Sequence, residues 1–356
     1  MKLQAVPNCL VCGKAGRTLY TGLHDTHTSV EGEWSFSTCD SCELTWLDPR
    51  PAVDDINALY GAHDKYYTHD TEINDWDLKL IAGRERECSF SERVQLALFA
   101  KYAGKHDWRP DALSSRVLAG LMWMFPHVRD VIGGRVGWLR HQPGATLLDV
   151  GCGGGAFLAL MRHLGWNVSG LEPDLEACRA AWTRFKLPIH HGDLDTAPLP
   201  PESFDVVTSF HAIEHMERPF DLIEGGLRLL KPGGIMVIVT PNGRGLGHRF
   251  FRASFSDLLP PRHLHLFSGQ LLTQKAKQLG ARVVRCRSTA RRGHTVWVDS
   301  WNIRRTGHLT ENTSHLQKLL GVPFQLLEEC ARVFYPMAGD EIVLVISKPH
   351  SHHSRS

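Results

Sequence analysis

The sequence predicts an α/β fold built on a mainly parallel sheet, with a small cysteine-rich module in front of it. Three observations carry this prediction. From residue 143 onward, short apolar runs alternate with helix-length amphipathic segments, which is the pattern of βα units. A glycine-rich turn, Gly151–Gly155, follows the first of these runs. Two Cys-x-x-Cys pairs lie within the first 42 residues.

The strands are predicted from short apolar runs bounded by turn residues, and the helices from apolar residues at helical spacing. Seven strands are expected, at Ala145–Val150, Asn167–Glu172, Leu187–His190, Phe204–Phe210, Ile235–Thr240, Ala281–Arg287 and Glu341–Ser347. The helices of the same region are expected at Ala156–Leu164, Leu175–Phe185, Phe220–Leu230, Leu271–Leu279 and Leu316–Tyr335.

Changes in composition divide the chain into four segments. Residues 1–50 are turn-rich and strand-like and end in the breaker Asp48-Pro49-Arg50-Pro51, so we expect a zinc-binding module there. Residues 51–142 are predicted to form a helical lid or linker, with helices at 77–101, 117–125 and 131–139. Residues 143–349 make up the α/β domain, and the polar tail 350–356 is expected to be disordered.

Bulk composition excludes several classes of protein. Lys and Arg number 40 against 38 Asp and Glu, which leaves a net charge of +2 and no electrostatic support for a nucleic-acid or membrane partner. The start of the chain lacks the apolar segment of a signal peptide. The longest apolar run, 117–126, is too short to span a bilayer. A cytoplasmic protein is therefore expected. Because disulfides are rare in that compartment, its nine cysteines are not expected to form a disulfide framework.

Four of the cysteines have the spacing of a metal site. Cys9 and Cys12 form one Cys-x-x-Cys pair, Cys39 and Cys42 form the other, and 26 residues lie between them. Four thiolates match the closed tetrahedral coordination of a structural Zn²⁺. Since no position would remain open for chemistry, we expect the zinc to stabilise the fold in a zinc-ribbon-like module.

The glycine-rich turn predicts a cofactor site. A buried strand ends in Asp149-Val150, and Gly151 and Gly153 then permit unusual dihedrals and close ligand approach. Taken alone, Gly151-x-Gly153-x-x-Ala156 also fits a dinucleotide fingerprint.

Three acidic residues distinguish the two ligands. Asp149 stands two residues before the first glycine, where a carboxylate suits an ammonium group better than a pyrophosphate. Glu172 ends the second strand and is placed to accept from both ribose hydroxyls, and Asp193 follows the third strand, where it can accept from the adenine amine. A ligand with ammonium, ribose and adenine but no phosphate is S-adenosylmethionine (SAM).

Several segments together resemble class I SAM-dependent methyltransferases. They are Leu147–Gly155, Gly170–Pro173, Phe204–Val207, Leu230–Gly234, Thr240–Asn242, Pro261–Leu264 and Gln278–Gly280. The chain is similar to the type 11 and type 23 subgroups, which include ubiquinone-type O-methyltransferases and methyltransferases of glycan and natural-product clusters. The resemblance implies a Rossmann-like sheet of seven strands, the last of them antiparallel, and an N-terminal zinc-binding segment.

The resemblance also implies the residues that hold SAM. Tyr67, with Tyr60 and Tyr66, lies where related enzymes cover the methionine end of the cofactor, although such a cluster also suits simple packing. The complete cofactor-binding set expected is Asp149, Gly151, Cys152, Gly153, Gly155, Glu172, Pro173, Asp193, Leu194, Phe210 and Tyr67.

The candidate catalytic residues are His211, Glu214, His215 and His263. In this fold the segment after strand four faces the methyl group, and the segment after strand five borders the same cleft. We favour a histidine general base, His211 or His263. A divalent cation, Mg²⁺ or Mn²⁺, remains open because His-x-x-Glu-His resembles the Glu-x-x-Glu-His pattern of small-RNA 2′-O-methyltransferases, from which it departs at His211. A purely structural role for Glu214 and His215 is also open.

The expected activity is transfer of a methyl group from SAM to a small molecule, as O-methylation of a sugar or natural-product hydroxyl. An RNA-modifying enzyme, a C- or N-methyltransferase of a nucleotide-sugar and a non-catalytic SAM-binding protein are the alternatives. The basic cluster from Arg282 to Arg292 suits either an anionic acceptor or, as we favour, a solvated strand face. A homodimer is one of the oligomeric states left open.

Overall fold

The computed structural model describes residues 1–27, 30–52, 55, 88–104, 112–309 and 315–350. Close contacts between Cα atoms group the chain into two units. The first comprises Met1–Asp64, Ser209–Leu227 and Ile238–Ser356, and the second comprises Lys65–Thr208 and Arg228–Val237. Most of the predicted lid before residue 88, including Tyr60, Tyr66 and Tyr67, lies outside the described residues, as does the tail after His350.

The strands are numbered in chain order. They are β1 (Leu3–Gln4), β2 (Arg17–Leu23), β3 (Trp34–Thr38), β4 (Thr45–Leu47), β5 (Arg50–Pro51), β6 (Thr146–Val150), β7 (Asn167–Glu172), β8 (Ile189–His191), β9 (Phe204–Phe210), β10 (Leu230–Pro241), β11 (His265–Leu266), β12 (Arg282–Thr289) and β13 (Glu341–Ser347).

The α-helices are α1 (Phe90–Ala103), α2 (Leu113–Met122), α3 (Pro126–Arg135), α4 (Ala156–His163), α5 (Leu175–Phe185), α6 (Asp221–Leu229), α7 (Leu246–Phe251), α8 (Gly269–Gln278), α9 (Gly293–Thr306) and α10 (His315–Phe334). Some of them begin with an ordinary side-chain cap. At the start of α5 the side chain of Asp174 accepts from the N–H of Glu176, and at the start of α8 that of Ser268 accepts from Leu271.

The large sheet has seven strands in the order β12-β13-β10-β9-β6-β7-β8. Strand β6 pairs in parallel with β7 and β9, and β7 pairs in parallel with β8. Strand β13 runs antiparallel to β12, with Thr289 opposite Glu341. The expected seven-stranded Rossmann-like sheet with an antiparallel last strand is thereby confirmed.

A second sheet joins the N-terminal segment to a much later part of the chain. Its order is β11-β4-β3-β2, and His265 of β11 lies opposite Trp46 of β4. The core beneath it combines side chains from both ends of the first unit, namely Trp34, Phe36, Leu47, Phe251, Phe255, Leu258, Leu264, Leu266, Val296 and Trp297. The predicted limits of the four segments stay a prediction, but residues 1–50 do not form this sheet alone.

Among the helices and strands numbered above, α7, β11 and α9 were not predicted from sequence. Among the described residues, no helix combines the length and the apolar character needed to cross a membrane.

Candidate functional site

The four predicted zinc ligands come together in the structure. The Sγ atoms of Cys9 and Cys42 are 3.4 Å apart, and those of Cys12 and Cys39 are 3.5 Å apart. All four sulfur atoms lie within 4.8 Å of one another. Four sulfurs at about 2.3 Å from one ion would stand roughly 3.8 Å apart. The donor set and its spacing therefore fit a tetrahedral Zn²⁺.

Both cysteine pairs lie in the same kind of turn. The N–H of Gly13 donates to the carbonyl of Cys9, and the N–H of Glu43 donates to that of Cys39, at 2.8 and 2.9 Å. Gly13 and Glu43 occupy equivalent places and both have left-handed dihedrals, with φ of 70° and 63°. Glu43 holds this conformation without being glycine, and its carboxylate pairs with Arg244 at 3.0 Å.

The glycine-rich turn between β6 and α4 has the conformation that a close ligand approach requires. Gly151, Gly153 and Gly155 have φ of 76°, 51° and 78°, a region that other residues rarely adopt. A Cβ on Gly155 would also stand 2.6 Å from a methyl group of Leu187. The turn is thus fixed by backbone geometry and by packing against the following βα unit.

Glu172 and Asp149 are buried carboxylates beside this turn. Glu172 accepts from the N–H of Gly153 at 2.8 Å and from that of Asp174 at 3.0 Å, one bond to each oxygen. Burial nevertheless raises the pKa of Glu172. Asp149 accepts from the hydroxyl of Thr208 at 2.7 Å. Since each carboxylate oxygen has two lone pairs, Glu172 retains acceptor capacity for hydroxyl groups of a ligand.

Asp193 begins a tight turn after β8. Its Oδ1 accepts from the hydroxyl and the N–H of Thr196 at 2.8 and 2.9 Å, and from the N–H of Asp195 at 3.1 Å. The Thr196 hydroxyl and these backbone donors lower the pKa of Asp193. Cys152 and Leu194 are buried, Pro173 is exposed, and Phe210 is half-buried at the end of β9.

His211 follows β9 directly and is held between two carboxylates. Its Nδ1 lies 3.2 Å from Oε1 of Glu214, and its Nε2 lies 2.9 Å from Oε1 of Glu341. Burial lowers the pKa of His211, but these bonds outweigh it and raise the pKa to about 9. Because both ring nitrogens face acceptors, His211 is an imidazolium at neutral pH and must lose a proton before it can act as a base.

His215 and His263 have the opposite character. Nδ1 of His215 donates to the carbonyl of Arg262 at 3.0 Å, and Nδ1 of His263 donates to that of Asp257 at 2.7 Å. Burial lowers the pKa of both rings, that of His215 to about 4. Each ring is therefore neutral at pH 7 with its lone pair on Nε2. The two ring centroids are 4.7 Å apart.

Glu214 completes this histidine cluster, which we define as His211, Glu214, His215 and His263. The Glu214 carboxylate is fully buried and accepts from the hydroxyl of Thr240 at 2.9 Å. Burial would raise its pKa, but the bond and charge of His211 lower it to about 2. One ligand atom from each of Glu214, His215 and His263 lies within 4.8 Å of the others.

Comparison with known proteins identifies the family of the α/β domain. Residues 128–285 match the family described as a methyltransferase domain, and the strand order and glycine-rich turn above agree with it. The chain carries a class I SAM-dependent methyltransferase domain.

Two curated relatives contain a similar domain. A protein of Mycolicibacterium smegmatis named a probable S-adenosylmethionine-dependent methyltransferase is 35% identical over 106 residues, 29% of this chain and 41% of that protein. A ubiquinone biosynthesis O-methyltransferase of Pseudomonas paraeruginosa is 30% identical over 154 residues, 40% of this chain and 66% of that enzyme. The chain thus spans less than two thirds of each relative's length.

Among solved structures, an S-adenosylmethionine-dependent methyltransferase from Mesorhizobium loti superposes with a TM-score of 0.42 at 16% identity. The superposition covers 61% of this chain and 96% of that one.

The methyltransferase sheet brings residues to the histidine cluster that sequence analysis missed. Glu341, the first residue of β13, accepts from Nε and Nη2 of Arg291 at 2.7 and 3.0 Å as well as from His211. Arg292 pairs with Asp257 at 3.4 Å. The interpretation of the basic cluster as a solvated strand face is wrong for these two arginines. An acidic residue opening an otherwise apolar strand was the one signal available for Glu341.

Proposed function

We propose that the protein is a SAM-dependent methyltransferase that methylates a hydroxyl group of a small molecule, as in a sugar or a natural product. The observation that carries the proposal is the glycine-rich turn with Glu172 beside it, an arrangement suited to a ribose and a methionine tail without phosphate. The similarity to ubiquinone biosynthesis O-methyltransferases supports oxygen as the acceptor atom.

The residues of the cofactor loop fit SAM in their chemistry. Glu172 would accept from the ribose hydroxyls, Asp149 would balance the ammonium group, and the backbone at Gly151 and Gly153 would lie against the ligand. Asp193 would accept a hydrogen bond from the adenine amine through Oδ2, since the bonds of its turn go to Oδ1. SAM supplies an electrophilic methyl group bound to a sulfonium, and the sulfur leaves that methyl group as a neutral thioether.

The histidine cluster would manage the proton of the acceptor hydroxyl. Of the two histidines favoured from sequence, His263 has the deprotonated Nε2 that a general base needs, whereas His211 already carries its proton. We therefore assign the base to His263. The hydroxyl proton would pass to its Nε2 while the oxygen forms its bond to the methyl carbon. His211 would keep Glu214 ionised and oriented from the other side.

A second chemistry for the same cluster is supported by the spacing of Glu214, His215 and His263. Two imidazoles and a carboxylate can hold a divalent cation, which would lower the pKa of a bound acceptor hydroxyl. Mg²⁺ and Mn²⁺ are the candidate cations. This alternative predicts loss of turnover with a mild chelator and recovery with excess Mg²⁺ or Mn²⁺ while the zinc content stays constant.

The cysteine site would hold zinc in a structural role. With four thiolates bound, the ion has no open position. Cys39 and Cys42 lie between β3 and β4, so the ion would stabilise the part of the first unit that contains the four-stranded sheet.

The proposal is tested by calorimetric titration with S-adenosylhomocysteine and by transfer of labelled methyl groups from SAM to a panel of hydroxylated sugars and phenols. Binding should weaken about 10–100-fold in Glu172→Ala, since a charge-assisted contact contributes about 1.5–3 kcal/mol. Glu176→Ala, an exposed carboxylate of α5, is the matched control and should bind as the wild type does. Undiminished binding in Glu172→Ala would refute the assigned ribose site. Binding without transfer to any oxygen would favour the non-catalytic alternative.

A further inference from the structure

Helix α10 has an inner face that is firmly docked. The ring of Phe324 stacks on Trp297, with centroids 4.7 Å apart and planes at 11°. The side chain of Gln325 donates to the carbonyl of Ala290 at 2.9 Å, and Arg332 donates to that of Ser288 at 2.7 Å. The helix is therefore a fixed part of the first unit, with a well-defined outer face.

From Leu319 onward that outer face is apolar, and Tyr335 continues it directly after the helix. We define the α10 stripe as the residues that leave 55–80% of their surface exposed, namely Leu319, Leu320, Leu326, Leu327, Val333, Phe334 and Tyr335. Together they expose on the order of 1,000 Å², which exceeds the few hundred Å² usual for an apolar patch on a monomer.

Charged side chains of residues 319–335 avoid this stripe. Glu328 is fully buried, and the paired side chains of Glu329 and Arg332 expose 16% and 12% of their surface on the inner side. A lipid surface is usually met by helices that flank their apolar face with Lys and Arg. Since these 17 residues offer no such flank, the stripe is better suited to another apolar protein surface.

The stripe repeats every seven residues. Leu319, Leu326 and Val333 form one row, and Leu320, Leu327 and Phe334 form the next. Seven residues make nearly two helical turns, so each row runs almost straight along the helix. Neighbouring residues of a helix lie about 100° apart around its axis, so the two rows form one broad apolar face along the helix.

We propose that the α10 stripe is the interface of a homodimer, in which α10 of one chain packs along α10 of a second copy about a two-fold axis. A two-fold interface uses the same patch twice, and an uncharged apolar row is complementary to itself. The stripe also meets the size requirement, since a standard interface needs about 800 Å² per partner.

Light scattering coupled to size exclusion tests the proposal with the full chain. At about 100 µM, where even a micromolar Kd leaves mostly dimer, the mass should be near twice 40.0 kDa. Leu327→Glu should weaken association at least about thirtyfold, as expected of a central interface residue, and Leu327→Met should retain the dimer. Leu175→Glu is the matched control, because Leu175 is also an exposed leucine but lies in α5.

Two results would overturn the proposal. One is a wild-type monomer at this concentration, and binding of that monomer to phosphatidylcholine–phosphatidylglycerol vesicles would assign the stripe to a lipid surface instead. The other is a dimer whose Kd is unchanged in Leu327→Glu while circular dichroism shows the variant folded, since the interface would then lie elsewhere.

Discussion

Nε2 of His211 lies 2.9 Å from Oε1 of Glu341, although 130 residues separate the two in sequence. The bond joins the end of β9 to the start of β13, two strands that are not adjacent in the sheet. Arg291 binds the same carboxylate through two nitrogens. Glu341 is therefore the buried counter-charge that a half-buried imidazolium and a half-buried guanidinium share.

Removing that charge should destabilise the protein. Glu341→Gln leaves His211 and Arg291 without their common carboxylate in a buried place, so the free energy of unfolding should fall by about 3–5 kcal/mol. Urea denaturation at pH 7 measures it. Glu176→Gln breaks an exposed ion pair with Arg179 and should cost at most about 1 kcal/mol. Equal, small losses in both variants would show that the network around Glu341 is not a stabilising one.

The buried carboxyl pair Glu328 and Asp340 should make stability depend on pH. Burial, and then the neighbouring Asp340, raises the pKa of Glu328 to about 10, while burial, and then Asp257, raises that of Asp340 to about 7. Arg292 and Arg332 act in the opposite direction. In an unfolded chain both values are about 4. The stabilising contribution is therefore complete below pH 4 and is lost as the pH rises through 7 and towards 10.

Glu328→Gln should consequently gain stability relative to the wild type as the pH is raised. Between pH 5 and 9 the difference in unfolding free energy should grow by on the order of 1–3 kcal/mol, measured by urea denaturation at several pH values. Glu176→Gln, in an exposed position, is the control measured at the same pH values. A constant difference for Glu328→Gln would mean that this carboxyl group ionises as freely in the folded protein as in the unfolded chain.

The cysteine site should contain one zinc ion per chain. Cys12→Ser removes one thiolate and should lower the zinc content by at least tenfold, because a structural site depends on all four ligands. Elemental analysis of protein purified without chelator measures this. Cys330→Ser alters an exposed cysteine outside the cluster and should retain the metal. Wild-type protein free of zinc would refute the assignment.

His263→Gln should mainly affect turnover, whereas His211→Gln should mainly affect stability. If Nε2 of His263 takes the proton of the hydroxyl group that is methylated, His263→Gln should lower kcat about 10²–10⁴-fold. The affinity for SAM should remain nearly unchanged. His211→Gln should mainly lower stability, because it leaves Glu214 and Glu341 without their shared donor. Steady-state kinetics and thermal unfolding of both variants separate the two effects. Full turnover in His263→Gln would exclude His263 as the base, and turnover that depends on Mg²⁺ or Mn²⁺ would favour the cation.

The strands of the large sheet were predictable because local patterns determine them. Leu147–Gly155 combines a buried strand with a glycine turn, and the predicted limits of β7, β9 and β13 agree with the structure. Strand β11 was not predictable, since two residues carry no periodicity and pair only once β4 is alongside. Glu341 was missed for a related reason: its partners His211 and Arg291 are distant in sequence, and no local pattern records a long-range ion pair.

The pairing of β11 with β4 has a consequence for the order in which the protein can be completed on the ribosome. Trp46 leaves the ribosome about 220 residues before its partner His265. At 5–20 residues per second this is a delay of roughly 10–40 s. During that time the β2–β3–β4 meander has an unpaired edge strand, and Trp34, Phe36 and Leu47 lack much of their covering core. The two cysteine turns are already present, so metal uptake by the nascent chain would protect the meander during synthesis.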